Sequence, residues 1–184
     1  MTKLILSVLG HDRPGIIASV SGILFEAGGN IEAVSQTILQ TQFSGTFIVN
    51  VPNSMTVEAL AEKLEAGLHL LSLDVLIRRI ETKEPLPSLL DAEPFVITTQ
   101  GPDQKGLVAR ITAIIARHGV NVTNLQAIFK GGDDPENNIM IYEVDIPRSI
   151  DKEALYRDLR EKAAALSLTL NIQHRKIFEE MNRI

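Results

Sequence analysis

The sequence predicts an α+β protein made of two βαββαβ repeats, each a four-stranded antiparallel sheet with two helices on one face. The first observation is an internal duplication, because residues 4–31 return in similar form as residues 95–122. The second is that strand-like apolar runs alternate with helical apolar spacing in the same order in both halves. Four matched pairs lie 91 residues apart (101 − 10 = 91): Gly10 and Gly101, Asp12 and Asp103, Gly15 and Gly106, and Asn30 and Asn121.

The first repeat begins with an apolar run at residues 3–9, which predicts a strand that is buried on both faces or central under helices. Residues 10–15 then form a polar turn, in which Asp12 is a candidate N-cap. Apolar residues recur at helical spacing over residues 16–27, and a glycine pair ends this helix. The remaining predicted elements are hairpin strands at 30–41 and 45–51 with a turn at 42–45, a helix capped by Thr56, and a strand at 73–80.

The second repeat follows the same order after a linker at residues 82–93, which contains prolines and charges of both signs. The predicted domains are therefore residues 1–81 and 94–184, the second with a C-terminal tail. The offset between the repeats rises from 91 to 95, which places four inserted residues in a hairpin tip at 131–138. The predicted elements are a strand at 95–100, a helix at 107–118, hairpin strands at 121–130 and 139–146, a helix capped by Asp151, a strand at 168–176 and a helical tail at 177–184.

The composition excludes several classes of function. A net charge of −5 without clustered basic residues argues against direct nucleic-acid binding. The chain has no cysteine, and its four histidines are scattered over different elements, so we expect no disulfide, no metal and no cofactor. No apolar run is long enough for a signal peptide or a membrane span. We therefore expect a cytoplasmic protein.

The glycine-bounded turn in each repeat is the best candidate site. It lies between a strand end and a helix start, where unpaired backbone N–H groups and the helix dipole favour an anion such as an α-carboxylate. Asn30 and Asn121 can hold either end of a zwitterion, and Asp12 or Asp103 can balance an ammonium group. In a βαββαβ fold the asparagine starts far from the turn of its own repeat, so contact across two repeats is easier.

Structural explanations for the same residues stay open. The aspartates are also suited to capping a helix, and the last glycine of each turn also suits close packing of helix on sheet. An asparagine at the start of a strand also serves as a turn residue. No residue pattern marks an activated nucleophile or a catalytic triad, so we expect no enzymatic activity.

The motif Gly-His-Asp-Arg-Pro-Gly-Ile at residues 10–16, followed by an amphipathic helix and Gly-Gly-Asn-Ile at 28–31, resembles the ACT domain. This is a small-molecule-sensing module with a ferredoxin-like fold, and the resemblance covers residues 3–80 and 94–176. The motif is similar to the ACT units of glycine-cleavage repressors and of formyltetrahydrofolate deformylases. With no catalytic domain among its 184 residues, the chain resembles tandem ACT proteins of the glycine cleavage system transcriptional repressor type.

The resemblance implies that an amino acid binds at the interface between two units, at the turn of one and the second-strand start of the other. The implied ligand-binding residues are Gly10, His11, Asp12, Arg13, Pro14, Gly15, Asn30 and Ile31 in the first repeat, and Gly101, Asp103, Gln104, Lys105, Gly106, Asn121 and Val122 in the second. In serine-sensing phosphoglycerate dehydrogenases an asparagine stands fifteen residues after the last glycine of the turn, and Asn30 and Asn121 match that spacing. Their ligand-contacting histidine aligns with Gly10, one position before His11.

The second repeat departs from the motif in its turn. Pro102, Gln104 and Lys105 replace His11, Arg13 and Pro14, which implies either a lost site or another ligand preference. The resemblance as a whole implies a regulatory protein that binds a small amino acid, with glycine as first choice, and modulates a protein partner such as a DNA-binding regulator of glycine cleavage. We expect a homodimer, without direct contact to nucleic acid or membrane. The alternative is a protein-interaction module with no ligand.

Overall fold

The two sheets of the protein have the predicted βαββαβ connectivity. A computed structural model describes residues 1–81, 91–128 and 137–181, which fall into two units, residues 1–83 and 84–184. The first unit consists of β1 (Thr2–His11), α1 (Ile16–Glu26), β2 (Asn30–Leu39), β3 (Gln42–Val51), α2 (Val57–Leu68), a 3₁₀ turn (His69–Leu71) and β4 (Asp74–Arg79). The second consists of β5 (Ala92–Gly101), α3 (Leu107–Arg117), β6 (Asn121–Ile128), β7 (Asn138–Pro147), α4 (Lys152–Ala165), β8 (Thr169–His174) and α5 (Arg175–Met181).

Each sheet is fully antiparallel, with strand orders β2-β3-β1-β4 and β6-β7-β5-β8. The first strand of each unit is therefore central, as one of the two sequence-based alternatives predicted. It is not buried on both faces. In β1 the side chains of Leu4, Leu6 and Val8 are buried against the helices, whereas Leu9 on the other face is 51% exposed. Alternation with period two explains this pattern, since the helices cover one face only.

Each unit has its own hydrophobic core between its sheet and its two helices. Because every helix of the pair presents one apolar stripe to the sheet, the buried helical residues recur at three- and four-residue spacing. The helical members of the two cores are Ile16, Val20, Leu24, Leu60, Leu64 and Leu68 in the first unit and Leu107, Ile111, Ile114, Ile115, Leu155, Leu159 and Ala163 in the second. These burials confirm the stripes that the sequence predicted except at Ile17 and Val108, which belonged to the predicted stripes but are 38% and 37% exposed.

Two helices have the N-caps that the sequence predicted, and two do not. Thr56 Oγ1 accepts a hydrogen bond from the backbone N–H of Ala59 at 3.1 Å, and Asp151 Oδ1 accepts one from Ala154 at 3.0 Å. The assignment of Asp12 as an N-cap is wrong. Helix α1 begins later, with Gly15 as N-cap, and α3 likewise begins after Gly106, so the turn aspartates lie outside both helices.

The first hairpin turn begins two residues earlier than predicted, at Gln40 instead of Gln42. β2 ends at Leu39 and β3 begins at Gln42, so Gln40 and Thr41 form the turn, with Gln40 at a φ of 57°. The predicted turn residue Gly45 lies inside β3 instead. A Cβ on Gly45 would stand 2.7 Å from Cζ of the Phe43 ring. The glycine is therefore explained by this close ring contact rather than by a turn.

In the second unit the first strand and the C-terminal helix both begin earlier than predicted. β5 begins at Ala92 rather than Phe95, and Glu93 of this extension pairs with Lys152 and, at 3.2 Å, with Arg148. Hydrogen bonding to Lys152 in particular lowers the pKa of Glu93. The predicted helical tail is confirmed and starts at Arg175. Most of the predicted hairpin tip lies outside the described residues, but Asn138, which was assigned to it, opens β7.

Candidate functional site

The first turn, residues 10–15, is fixed by backbone contacts and presents polar side chains outward. Gly10 and His11 still pair with β3, and the backbone N–H of Asp12 donates to the Thr41 carbonyl at 2.8 Å. Gly15 has a φ of 98°, a left-handed conformation that glycine adopts readily. No atom lies within 4 Å of a Cβ built there, so close packing does not explain this glycine. Arg13 is exposed and has no polar partner among the described residues.

The second turn, residues 101–106, also ends in a left-handed glycine but is held by a different contact. Gly106 has a φ of 83° and precedes α3 without a side-chain cap. Gln104, the counterpart of Arg13, folds inward, and its Nε2 donates to the Leu166 carbonyl at 2.7 Å. A hydrogen bond therefore ties this turn to the end of α4. Asp103 and Lys105 remain exposed to solvent.

Gly10 and Gly101 bring the two turns close to the neighbouring strand connection. A Cβ on Gly10 would lie 2.6 Å from Cδ2 of Leu73, and one on Gly101 would lie 2.7 Å from the Ser167 carbonyl oxygen. In each unit the turn thus closely approaches the segment that precedes the last strand, and at Gly101 the nearest atom belongs to the backbone. Beside this contact in the first unit is an open groove of about 450 Å³, lined by Glu65, His69, Ser72, Leu73 and Asp74.

The start of each helix offers hydrogen-bond donors at the turn. The first backbone bond within α1 runs from Ser19 N–H to the Gly15 carbonyl at 2.9 Å, and Arg110 bonds Gly106 in the same way at 3.0 Å. The N–H groups that precede these bonds have no partner within the helix, and no side chain caps them. Together with the helix dipole they favour an anionic group at each turn.

The strand-start asparagines lie at the opposite end of the sheet from the turn of their own unit. Asn30 pairs with Asn50, which pairs with Lys3, and Gly10 is seven residues further along β1 (10 − 3 = 7). At about 3.3 Å per residue the separation is about 23 Å. Neither Asn30 nor Asn121 is buried, and neither side chain has a hydrogen bond among the described residues.

The second unit has the same separation, because Asn121 is level with Pro94 and Gly101 is seven residues beyond it (101 − 94 = 7). Within one unit the structure therefore does not bring the turn and the asparagine together. Ile31 and Val122, which follow the asparagines, are partly buried and pack against the cores of their units. Their side chains thus contribute to packing, and their contact with a ligand stays a prediction.

A β-bulge follows each asparagine at the same place in both units. The register shifts between Ile31 and Ala33 in β2 and between Val122 and Asn124 in β6. The extra residue of the first bulge, Glu32, binds both Lys3 and Asn50 across the sheet. Hydrogen bonds from Lys3, and then from Asn50, lower the pKa of Glu32. The bulge is thus anchored beside the asparagine, and it bends the edge strand there.

One polar cluster outside the turns was not predicted from the sequence. Asp158 Oδ2 lies 2.7 Å from Nη2 of Arg117 and 2.9 Å from Nε2 of His118. These bonds, from His118 first, lower the pKa of Asp158. They join the end of α3 to the middle of α4, which makes the cluster a link between helices. Pairing of residues 40 positions apart leaves no local pattern in the sequence.

The described residues contain neither a cluster of candidate metal ligands nor a candidate membrane span. Within them, no three His, Cys, Asp or Glu side chains are grouped closely enough to hold a metal ion. Of the helices in the described ranges, none combines the length and apolar character needed to cross a bilayer.

Comparison with known proteins identifies both halves of the chain. The ACT domain family profile matches residues 2–77 and 93–173. A UPF0237 protein of Methanopyrus kandleri is 37% identical over 79 residues, which are 42% of this chain and 88% of that protein. A UPF0237 protein of Streptococcus pneumoniae is 38% identical over 64 residues, which are 35% of this chain and 73% of that protein.

Two solved structures share the fold over the length of the chain. A protein of unknown function from Galdieria sulphuraria has a TM-score of 0.77 at 21% identity, covering 94% of this chain and 98% of its own. A candidate glycine cleavage system transcriptional repressor has a TM-score of 0.64 at 17% identity, covering 94% and 96%. These identities show the fold alone. With the family profile matched in each βαββαβ unit, the chain belongs to the ACT domain family and contains two copies of the domain.

Proposed function

We propose that this chain is a non-catalytic regulatory protein that binds a small amino acid between ACT units. The observation that supports this proposal is the distance of about 23 Å between each turn and the asparagine of its own unit. A free amino acid is far shorter than that. A site that uses both features therefore needs the turn of one unit and the asparagine of another.

The two parts are complementary to the two ends of an amino acid. The uncapped helix start at each turn, with Arg13 or Lys105 beside it, suits the α-carboxylate. The asparagine side chain supplies an acceptor for the ammonium group and a donor for a remaining carboxylate oxygen. Glycine is our first choice of ligand, which rests on resemblance to the glycine cleavage repressor type. The partner of such a regulator is a protein, with a DNA-binding regulator as first choice, in the cytoplasm.

Calorimetric titration with glycine, serine and valine tests this proposal. Asn30→Ala and Asn121→Ala are expected to weaken binding at least tenfold at their respective sites. Asn171→Ala is the matched control, because Asn171 is an exposed strand asparagine on the edge of the second sheet opposite to Asn121. Saturating ligand is also expected to stabilise the protein, by about 2.7 kcal/mol at a hundred times Kd. Unchanged affinity in both alanine variants would place the ligand elsewhere.

The edge strand β2 favours a second candidate function, a ligand-free interaction module. β2 ends the first sheet, so its outer backbone groups have no strand partner within the described part of that unit. It also exposes Val34, Ile38 and Leu39 by 54%, 48% and 68%. Such an edge can accept another strand, including that of a second copy in a homodimer. Partner binding without a thermal shift from any amino acid would favour this function over sensing.

A further inference from the structure

The interior beneath the second turn differs in chemistry from the interior beneath the first. The register of the two sheets is the same at this end, because Gly10 faces Phe43 as Gly101 faces Asn138. Comparison of the helix-facing side chains there shows three replacements of apolar by polar residues. They are Val8 by Thr99, Phe43 by Asn138, and Phe47 by Tyr142.

In the first unit this end of the core is apolar throughout. Phe43 and Phe47 are 2% and 0% exposed, and the Phe43 ring covers Gly45. In the second unit Met140 stands in place of Gly45, and its sulfur accepts a hydrogen bond from the Tyr142 hydroxyl at 3.2 Å. At this end of the second unit a residue larger than Gly45 thus stands next to a residue smaller than Phe43.

Within the described ranges, Asn138 is the one of these three polar residues whose side chain has no hydrogen-bond partner. Thr99 hydrogen-bonds Tyr142 and counteracts the effect of burial, which raises the pKa of that tyrosine. Asn138 is 96% buried, yet neither its Oδ1 nor its Nδ2 has a hydrogen-bond partner among the described residues. A buried amide without partners is strongly disfavoured, and such groups in native proteins generally have an explanation.

The position of Asn138 points to the second turn as that explanation. Asn138 is paired with Gly101, the first residue of the turn, and the uncapped start of α3 follows five residues after Gly101. Two independent features therefore lie at the same end of the second unit. One is a set of helix N–H donors without helical partners. The other is a buried side chain whose NH₂ group lacks an acceptor and whose oxygen lacks a donor among the described residues.

We propose that the second turn is a separate ligand site, in which the Asn138 carboxamide hydrogen-bonds the side chain of the bound amino acid. This inference rests on the proposed amino-acid binding and adds the class of ligand. A group that both donates and accepts, such as a hydroxyl or a carboxamide, satisfies both free positions of Asn138. A carboxylate satisfies only the donor, and an aliphatic side chain satisfies neither.

The first unit lacks this selectivity, because Phe43 offers no hydrogen bond at the matching position. The two turns of one chain are therefore not equivalent. The second prefers an amino acid with a small polar side chain, whereas the first selects only for the charged ends of its ligand. The two turns also differ where Gln104 replaces Arg13. Gln104 hydrogen-bonds the Leu166 carbonyl, so the second turn lacks the exposed charge that Arg13 gives the first.

Titration calorimetry with two matched probe pairs tests the inference: serine against alanine, and asparagine against leucine. In the wild-type chain we expect the polar member of a pair to bind one site roughly ten- to hundredfold more tightly, as a buried hydrogen-bonding group discriminates. Asn138→Leu is expected to abolish this preference and leave the other site unchanged. Phe43→Leu, at the matching position of the first unit, is the control and is expected to retain the preference.

A spectroscopic readout reports on the side chain directly. The Asn138 side-chain NH₂ resonances, assigned by their absence in Asn138→Leu, are expected to shift on addition of the preferred probe. Asn138→Ala, which removes the carboxamide without adding bulk or another hydrogen-bonding group, answers the same question where the leucine variant fails to fold. Amino-acid binding with an unchanged preference in the Asn138 variants would overturn this inference alone. Absence of binding by any probe to the wild-type chain would overturn the proposed function as well.

Discussion

Gly101→Ala is the substitution that most directly tests how the second turn is held in place. A Cβ at this position would stand 2.7 Å from the Ser167 carbonyl oxygen and 2.9 Å from Cδ2 of Leu168. An ordinary contact begins at 3.4 Å, so the turn and the backbone at Ser167 must separate by about 0.7 Å (3.4 − 2.7). Backbone displacement of this kind costs about 1–3 kcal/mol.

Gly10→Ala provides the matched comparison in the first unit. The nearest atom there is Cδ2 of Leu73 at 2.6 Å, which is the end of a flexible side chain, and the nearest backbone atom is 3.1 Å away. Rotation of the leucine relieves most of the overlap. Alanine also lowers the entropy of the unfolded chain relative to glycine, by about 0.4–1 kcal/mol in free energy. We therefore expect a change within about 0.5 kcal/mol for Gly10→Ala and a net loss of about 1–2 kcal/mol for Gly101→Ala.

Thermal and urea unfolding of the full chain measure these differences. For units of this size a loss of 1 kcal/mol lowers Tm by about 4–8 °C, so the two variants should be clearly separated. Gly22→Ala serves as an internal standard, because Gly22 lies exposed within α1 with nothing within 4 Å of its Cβ position. The Gly22→Ala substitution should raise the free energy of unfolding by about 0.5–1 kcal/mol. If Gly10→Ala destabilises as much as Gly101→Ala, backbone contact does not explain the second glycine.

Three further expectations concern capping, the helix link and the second turn. Asp151→Ala should cost about 1 kcal/mol in urea unfolding through loss of the N-cap, while Asp12→Ala, outside any helix, should cost much less. Asp158→Asn should destabilise the protein at pH 7. Because the pKa of Asp158 is lowered in the folded state, its contribution to stability is complete above a pH of about 3.9 and is lost on further acidification. The melting temperatures of variant and wild type should therefore converge at low pH. Gln104→Ala should cost about 0.5–1.5 kcal/mol and speed amide exchange in the second turn, and unchanged exchange would contradict its tethering role.

The order of the elements was predictable from the sequence because apolar spacing and duplication agree in both halves. The precise borders of the elements were not predictable at places where a residue has two physical explanations. Gly45 is typical of a turn, but it is also the residue that fits under the Phe43 ring. Asp12 is typical of an N-cap, but the chain continues its strand pairing past His11, and the helix starts after a left-handed glycine.

The candidate site was predictable only in part. The paired glycines and asparagines are local features at fixed offsets, so the sequence identifies them directly. The position of Asn138 beside the second turn depends on the register between β5 and β7, which pairs residues 37 positions apart (138 − 101). A signal was present in the sequence, since position 43 is phenylalanine and position 138, at the later offset of 95, is asparagine. Its meaning requires knowledge of which side of the sheet the residue occupies.

The distance between turn and asparagine within one unit has a measurable consequence for how binding responds to protein concentration. When the second half of a site comes from another molecule, dilution separates the halves, and the apparent Kd for the amino acid rises on dilution. When it comes from the other unit of the same chain, the linker keeps the effective concentration constant. A dilution series at fixed ligand would therefore tell whether one polypeptide is a complete sensor.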